Sequence, residues 1–271
     1  MAVTTHAEPT GDHSDLTPAL VAELLAASSL PWRDITVLES TGSTNADLLA
    51  VLAEGAPEGT VIAAGEQVSG RGRQGRDWES PPGTSLSFSV VLTPPSERAG
   101  FVPALTGVSV ARAIRGLTDL DVSLKWPNDV LVAGGKVAGI LAEGGRAGLV
   151  VGCGINVSVP ADELPVATAT SLAASGADVS RARLLITALE QLAAANELWR
   201  EAAYNAQGAG LLDTYRTLCA TIGSDVRVTL PDGSVLEGLA EAIDDDGRLL
   251  LVTEAGGRPL TAGDVTHVRP A

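Results

Sequence analysis

Apolar positions along the chain fall into three textures, and each predicts a different kind of structure. Helical spacing comes first. Thr17-Pro18 ahead of Leu20, Val21, Leu24 and Leu25 predicts a helix ending near Ser28, with proline tolerated at the first helical position. Thr44-Asn45-Ala46-Asp47 has the form of a capping box, and Leu48, Leu49 and Leu52 follow on one face. Residues 101–117 and the Ala- and Leu-rich stretch 181–218 also read as helices, the latter broken at Gly208-Ala209-Gly210. Strand patterns alternate with these helices. Residues 35–38, 60–64 and 85–92 are short β-rich runs, and the last of them alternates before it becomes β-branched.

Between 122 and 156 several strands crowd together. Val122, Leu124 and Trp126 alternate with Ser123 and Lys125, so the lysine projects from the face opposite the apolar residues. Pro127 stops that ladder and Asn128-Asp129 predicts a turn. Residues 130–132 and 136–142 predict a hairpin across Ala133-Gly134-Gly135, and 149–156 predicts another strand. After Gly223 the texture is wholly β: 226–230, 235–240, 249–252 and 265–268 are short strands, with turns at Pro231-Asp232-Gly233 and Asp244-Asp245-Asp246-Gly247. Strands alternating with helices, then a run of short strands, predict an α/β (α+β) domain with a small barrel appended. Residues 1–16 predict disorder, and no internal repeat is visible.

Composition narrows the function. The 271 residues are 45% hydrophobic but only 3% aromatic, so Ala, Val, Leu and Ile must build the core. A net charge of -15 repels phosphate backbones and argues against a general nucleic-acid binder. Cys153 and Cys219 stand far apart, with neither metal nor redox spacing, which suits a reducing cytosol. The N-terminus lacks the apolar region of a signal peptide, and no run approaches the ~20 apolar residues of a membrane span. A soluble, cytoplasmic protein with no membrane partner is expected.

Two features carry candidate chemistry. Gly70-Arg71-Gly72-Arg73-Gln74-Gly75-Arg76 formally satisfies G-x-G-x-x-G, but Asp77-Trp78-Glu79-Ser80-Pro81-Pro82-Gly83 follows it. Two prolines and a glycine forbid the helix that a dinucleotide site needs there. A plain surface loop or an RNA contact would also use such residues, but the acidic balance disfavours RNA. The reading that survives is a mobile anion-binding loop, three arginines set around backbone N–H groups and able to close over phosphates or a carboxylate. The second feature is the choice of lysine. Of 18 basic residues 16 are Arg, leaving only Lys125 and Lys136. A compact ammonium differs from a planar fork where a single oxygen must be reached, so Lys125 is a functional candidate rather than a solvated strand residue. Lys136 stays open between function and a charged strand end.

GRGRQGR, KWPNDV, GKVAGIL and GCGINVS, in that order and joined upstream by Ser43-Thr44-Asn45 and Gln67, resemble the biotin–protein ligases. The resemblance implies an N-terminal tail and short helix over 1–31, a mixed-sheet biotin- and ATP-binding catalytic domain over 32–221, and an SH3-like module over 222–271. It also implies the reaction. Biotin and ATP, with Mg²⁺ on the phosphates, give biotinyl-5′-AMP; the biotinyl group then passes to a lysine of a biotin carboxyl carrier domain. By the same resemblance Ser43, Thr44, Asn45, Gln67, Gly70, Arg71, Gly72, Arg73, Lys125, Gly139 and Ile140 contact biotin. Arg71, Arg73, Trp78, Lys125, Asn128 and Asn156 contact the nucleotide, and Lys125 and Arg73 are catalytic. No protein ligand is assigned to the metal.

Each assignment has a plainer explanation beside it. Ser43 to Asn45 could simply cap a helix, Trp78 could be one of four core tryptophans, Asn128 and Asp129 could only make a turn, and Asn156 could only end a strand. Gln74 stands where such loops often carry a basic residue, which predicts tuning rather than loss of activity. Only about 31 residues precede Trp32, with one predicted helix, so no helix-turn-helix domain and no operator binding are expected. The rival readings are a lipoate–protein ligase, whose Arg-Arg-x-x-Gly-Gly-Gly segment is missing here, and a catalytically silent biotin-binding sensor. Retention of Lys125 and both loop arginines weighs against the sensor.

Overall fold

The computed structural model describes residues 15–78, 81–145 and 147–268. Seven strands make one sheet: β1 (Ile35–Leu38), β2 (Val61–Ala64), β3 (Ser85–Leu92), β4 (Val122–Lys125), β5 (Asp129–Val132), β6 (Gly135–Gly145) and β7 (Gly148–Asn156). Their spatial order is β1-β2-β3-β7-β6-β5-β4. Only β1 and β2 run parallel, so the sheet is mixed, as expected. Five helices cover it: α1 (Pro18–Ala27), α2 (Thr44–Ala53), α3 (Val102–Leu117), α4 (Arg181–Glu201) and α5 (Leu211–Leu218).

Two hydrophobic layers explain the burial of the central strands. Leu48 and Leu52 of α2 pack with Ile62, Val91 and Val150 on one face, while Val61, Ala63, Phe88, Val90 and Val151 join α3 and α4 in the main core. β3 is therefore buried at every position, polar serines included, because both faces are covered. α1 packs on α4, and its Val21, with Leu30 just beyond it, lies in the main core.

The C-terminal strands β8 (Asp225–Thr229), β9 (Val235–Ile243), β10 (Leu249–Thr253), β11 (Gly256–Leu260) and β12 (Asp264–His267) form an antiparallel sheet in the order β11-β10-β9-β8-β12. β11 was not expected, because Gly-Gly-Arg-Pro-Leu is a poor strand sequence. It lies at the sheet's edge, where proline's missing N–H costs no ladder bond.

Three local expectations need correction. Residues 1–14 lie outside the described residues, but Asp15, assigned to the disordered tail, is held: its carboxylate pairs with Arg181 at 2.6 Å and accepts from the Arg181 N–H at 2.7 Å. The cap of α2 is Ser43, not Thr44; Ser43 Oγ accepts from Ala46 N, while Asp47 is taken by the Thr41 hydroxyl. Finally, the turn after β4 spans 126–128 and contains a cis Trp126-Pro127 bond, so Asp129 already belongs to β5, opposite Lys125.

Candidate functional site

A cavity of about 890 Å³ opens where α2, the Gly/Arg loop, β4 to β7 and β12 converge. Of the residues singled out from the sequence, Ser43, Thr44, Asn45, Gln67, Arg71, Gly72, Arg73, Trp78, Lys125, Asn128, Gly139, Ile140 and Asn156 all line it. Gly70 stands just behind, its carbonyl accepting from Trp78 N at 3.0 Å. The residues named in advance lie up to 113 positions apart, Ser43 and Asn156 being their extremes, yet meet around one space.

The N-terminus of α2 forms one wall. Thr44 donates to Gln67 Oε1 through both its backbone N–H, at 2.8 Å, and its hydroxyl, at 3.1 Å. Asn45 Nδ2 donates to Glu143 Oε2 at 2.7 Å and to Leu141 O at 3.3 Å, while Ser89 Oγ lies 2.6 Å from Asn45 Oδ1 and 2.8 Å from Thr44 Oγ1. Ser89 and Glu143 were missed in the sequence. Ser89 reads as one small residue in an alternating strand, and nothing local to Glu143 signals its partner. Together these groups hold the wall rigid through mutually satisfied bonds.

Glycines make the floor. Gly139 and Gly154 sit opposite each other on β6 and β7, with Gly152 two residues on. A Cβ on Gly154 would come 2.5 Å from Trp78 Cε2, one on Gly139 would come 3.0 Å from Trp78 Cζ3, and one on Gly152 would overlap the Asn45 side chain. The expected close approach of a ring to Gly139 is therefore made here by Trp78 itself. Lys136 Nζ lies 5.7 Å from the centre of that indole, whose buried Nε1 finds no hydrogen-bond partner.

The Gly/Arg segment is more ordered than expected. Trp78 N–H to Gly70 O and Gly72 N–H to Arg76 O close it, Arg71 bridges Asp77, and residues 73–75 form one 3-10 turn with Gln74 at φ 58°. Its far side is fastened to the C-terminal sheet: Arg76 pairs with Asp264 at 2.8 Å, and Arg73 Nη1 lies 3.4 Å from both Gly263 O and Asn128 Oδ1. Burial lowers the pKa of the Arg73 guanidinium from its ordinary value, with Asp264 and Asp129 opposing and Arg76 reinforcing.

The two lysines differ in a way the sequence left open. Lys136 pairs with Asp129 at 2.6 Å. Lys125, half-buried on β4, makes no ion pair among the described residues and faces the cavity. Asn128 is held from both sides, its Nδ2 donating to Ile140 O at 2.8 Å and its carbonyl accepting from Ile140 N at 3.0 Å. Asn156 Nδ2 donates to Thr170 O at 3.0 Å, steadying the segment that brings Val166, Thr168 and Ala169 to the rim. The plainer structural roles of both asparagines are thus filled. Trp126 is structural: it is buried, and its indole N–H donates to Gly247 O at 2.9 Å, tying the turn after β4 to the C-terminal sheet.

β12 contributes the residues that the sequence did not flag. Asp264, Val265, Thr266 and His267 all line the cavity. A terminal strand with hydrophobic alternation gives no hint that its residues reach another domain's pocket. His267 Nε2 is buried without a hydrogen-bond partner among the described residues, and burial, followed by the Lys125 charge, keeps the imidazole pKa below its ordinary value. Cys153 also lines the pocket, but burial pushes its thiol up to about 12, so it is an inert wall residue.

The cavity presents cations, Lys136 beside the glycine floor among them, together with a rigid polar wall. Such a site can neutralise an anion while a neutral ring lies against backbone. Residues 37–159 match the Biotin/lipoate A/B protein ligase family, and residues 221–268 match the Biotin protein ligase C terminal domain. The chain is 41% identical to a biotin–[acetyl-CoA-carboxylase] ligase of Mycobacterium tuberculosis, covering 91% of this chain and 93% of that one. It is 31% identical to the bifunctional ligase/repressor BirA of Escherichia coli, covering 86% of this chain and 73% of that protein. Among solved structures it is similar to the biotin protein ligase from Aquifex aeolicus in complex with biotin and ATP. There the TM-score is 0.74 at 28% identity, over 88% of this chain and 100% of that one.

Proposed function

The chain belongs to the biotin protein ligases, and from that premise we propose that it activates biotin with ATP and transfers the biotinyl group to a lysine of a biotin carboxyl carrier domain. The observation that carries the reading is the Lys125 ammonium, without an ion pair among the described residues, lining one glycine-floored cavity together with Arg73 and Arg71. Biotin's carboxylate must meet the α-phosphate of ATP, and two anions approach only where fixed cations neutralise both. Lys125 and Arg73 supply that charge to the carboxylate and α-phosphate; Arg71 and the backbone of Gly70 and Gly72 complete the loop. Mg²⁺, to which no protein ligand is assigned, would supply neutralisation of the remaining triphosphate charge when bound with the nucleotide.

Ser43, Thr44, Asn45, Gln67, Gly139 and Ile140 hold the biotin ring, and Trp78, Asn128 and Asn156 lie on the nucleotide side. Two orphaned buried atoms, Trp78 Nε1 and His267 Nε2, support a polar ligand in this space, because an unpaired buried group costs free energy until something bonds it. Residues 32–221 then form the catalytic domain, 222–271 the module that closes its rim through β12, and 1–31 a tail and short helix. Two free, buried cysteines suit the cytoplasm, where we place the protein. No helix among the described residues is long and apolar enough to cross a membrane.

ATP–pyrophosphate exchange with Mg²⁺, comparing biotin with lipoate as the required acid, tests the adenylation step without the carrier. Exchange dependent on biotin alone is the expected result. Dependence on lipoate, or biotin binding without exchange, would overturn the proposal in favour of a lipoate ligase or a silent sensor.

A further inference from the structure

We propose that Asp77 is the carboxylate that receives the positively charged lysine of the acceptor protein and leads it into the cavity. This rests on the ligase reading above and deepens its second half-reaction, by naming the group that lets a cation enter a cationic site.

The charges around the cavity pose the difficulty. Arg71, Arg73, Arg76, Lys125 and Lys136 line it, against three carboxylates, Asp77, Asp129 and Asp264. The adenylate left by the first half-reaction carries one negative charge on its phosphate, so the lining stays net cationic even when it is bound. The acceptor lysine arrives as an ammonium, its ordinary pKa being about 10.4. The protein's net charge of -15 gives little help at the end of that approach, because salt screens charges beyond about 8 Å at physiological ionic strength. Over the last few ångströms the local cations decide, and they repel it.

Asp77 is placed to offset them. It is exposed and lines the cavity. Asp129 is paired with Lys136 and Asp264 with Arg76, whereas Asp77 makes no ion pair and no side-chain hydrogen bond among the described residues. Arg71 stands opposite it in an antiparallel bridge, yet forms no ion pair with it. The backbone is fixed on either side, Gly72 N–H donating to Arg76 O at 2.6 Å and Trp78 N–H to Gly70 O at 3.0 Å. The next residue, Trp78, lies over Gly139 and Gly154, so the carboxylate stands beside the indole that covers the glycine floor. A fixed, exposed and unpaired carboxylate there can hold an ammonium at the entrance. It is assigned no proton transfer; the Asp129–Lys136 pair stands in the same cavity for that chemistry.

The test uses the full chain charged with biotinyl adenylate and the variants Asp77→Asn, Asp77→Lys and Asp77→Glu. Single turnovers compare three nucleophiles: a carrier domain that the wild-type enzyme labels, ethylamine as a bare ammonium, and hydroxylamine, which is uncharged near neutral pH. At low ionic strength, transfer to the carrier and to ethylamine should fall about fivefold in Asp77→Asn and about fivefold again in Asp77→Lys, the scale of one charge–charge contact in water. Asp77→Glu should keep most of the rate, and added salt should narrow the gap between the wild type and Asp77→Asn. Hydroxylamine trapping and biotin-dependent pyrophosphate exchange should be unchanged in all three variants. Full transfer by Asp77→Lys would overturn the proposal. Equal losses toward ethylamine and hydroxylamine, or a gap that salt leaves untouched, would make Asp77 a structural loop residue and overturn it too. A loss toward the carrier alone, with ethylamine spared, would place Asp77 against the carrier's surface rather than its lysine and count equally against it. Absence of exchange in the wild type would instead defeat the ligase reading itself.

Discussion

The two ends of the cavity are built on opposite principles. At the α2 end Thr44, Asn45, Gln67, Ser89 and Glu143 satisfy one another, and the wall is finished before any ligand arrives. Among the described residues Lys125 makes no ion pair, Arg73 has contacts at 3.4 Å, and His267 Nε2 has no hydrogen-bond partner. A neutral ring is recognised by shape and preset hydrogen bonds, so that end must be rigid. An anion is recognised by charge, and a cation already paired internally would have little left to offer. Lys136 shows the contrast within one residue type, since Asp129 has already claimed it.

Substitutions can break this comparison. The largest effect is expected for Lys125→Arg, which keeps the charge but replaces a point donor by a fork. Biotin-dependent pyrophosphate exchange should fall by about two orders of magnitude, in the range of losing one electrostatic stabiliser, while the unfolding midpoint barely moves. Near wild-type exchange would show that any rim cation suffices. Arg73→Gly should come next: it removes a cation and one of the loop's contacts to the C-terminal module, and adenylate release measured by stopped flow should quicken about tenfold, equivalent to ~1.4 kcal/mol. An unchanged release rate would sink the idea that this arginine retains the intermediate.

The finished end should respond differently. Asn45→Ala leaves Glu143 and Ser89 facing each other without their shared partner. Urea unfolding should report a loss of about 1–3 kcal/mol, the cost of stranding buried polar groups, with weaker biotin binding alongside it. Loss of affinity with no loss of stability would mean the wall is not pre-built.

The smallest effect is global and lies away from the cavity. Glu58 accepts from Thr93 and Asn196 and pairs with Arg200. Burial raises its pKa, but the Thr93 bonds and the Arg200 charge outweigh burial and leave it below its ordinary value. The unfolded chain therefore binds a proton before the folded one does. Its stabilising contribution is present above the unfolded pKa and is lost as pH falls through the folded one. Melting scans should show Glu58→Gln losing stability at neutral pH and converging on the wild type in acid; a constant gap at all pH values would contradict this.

Most of the fold was legible because hydrophobic period reports local structure directly. The seven strands and five helices fall close to where the alternation and helical stripes put them, and the glycine turns fall at their motifs. Failures occurred where a distant element changed the environment. Asp15 is ordered because Arg181 reaches it. β11 exists because an edge strand tolerates the proline that argued against it.

By itself the sequence determined which residues carry charge, where the backbone lacks a Cβ, and that only two positions offer an ammonium. Those are properties of single residues and short spacings; the thirteen cavity-lining residues named in advance came from the family resemblance that the motifs carry. The tertiary structure alone decided which of those groups are spent and which are free. Lys136 is paired and Lys125 is not, Asn128 is tied down, and a histidine 142 residues beyond Lys125 arrives at the same pocket. Whether a group is paired depends on what stands within a few ångströms of it, and those neighbours come from strands that only the folded sheet and its appended module bring together.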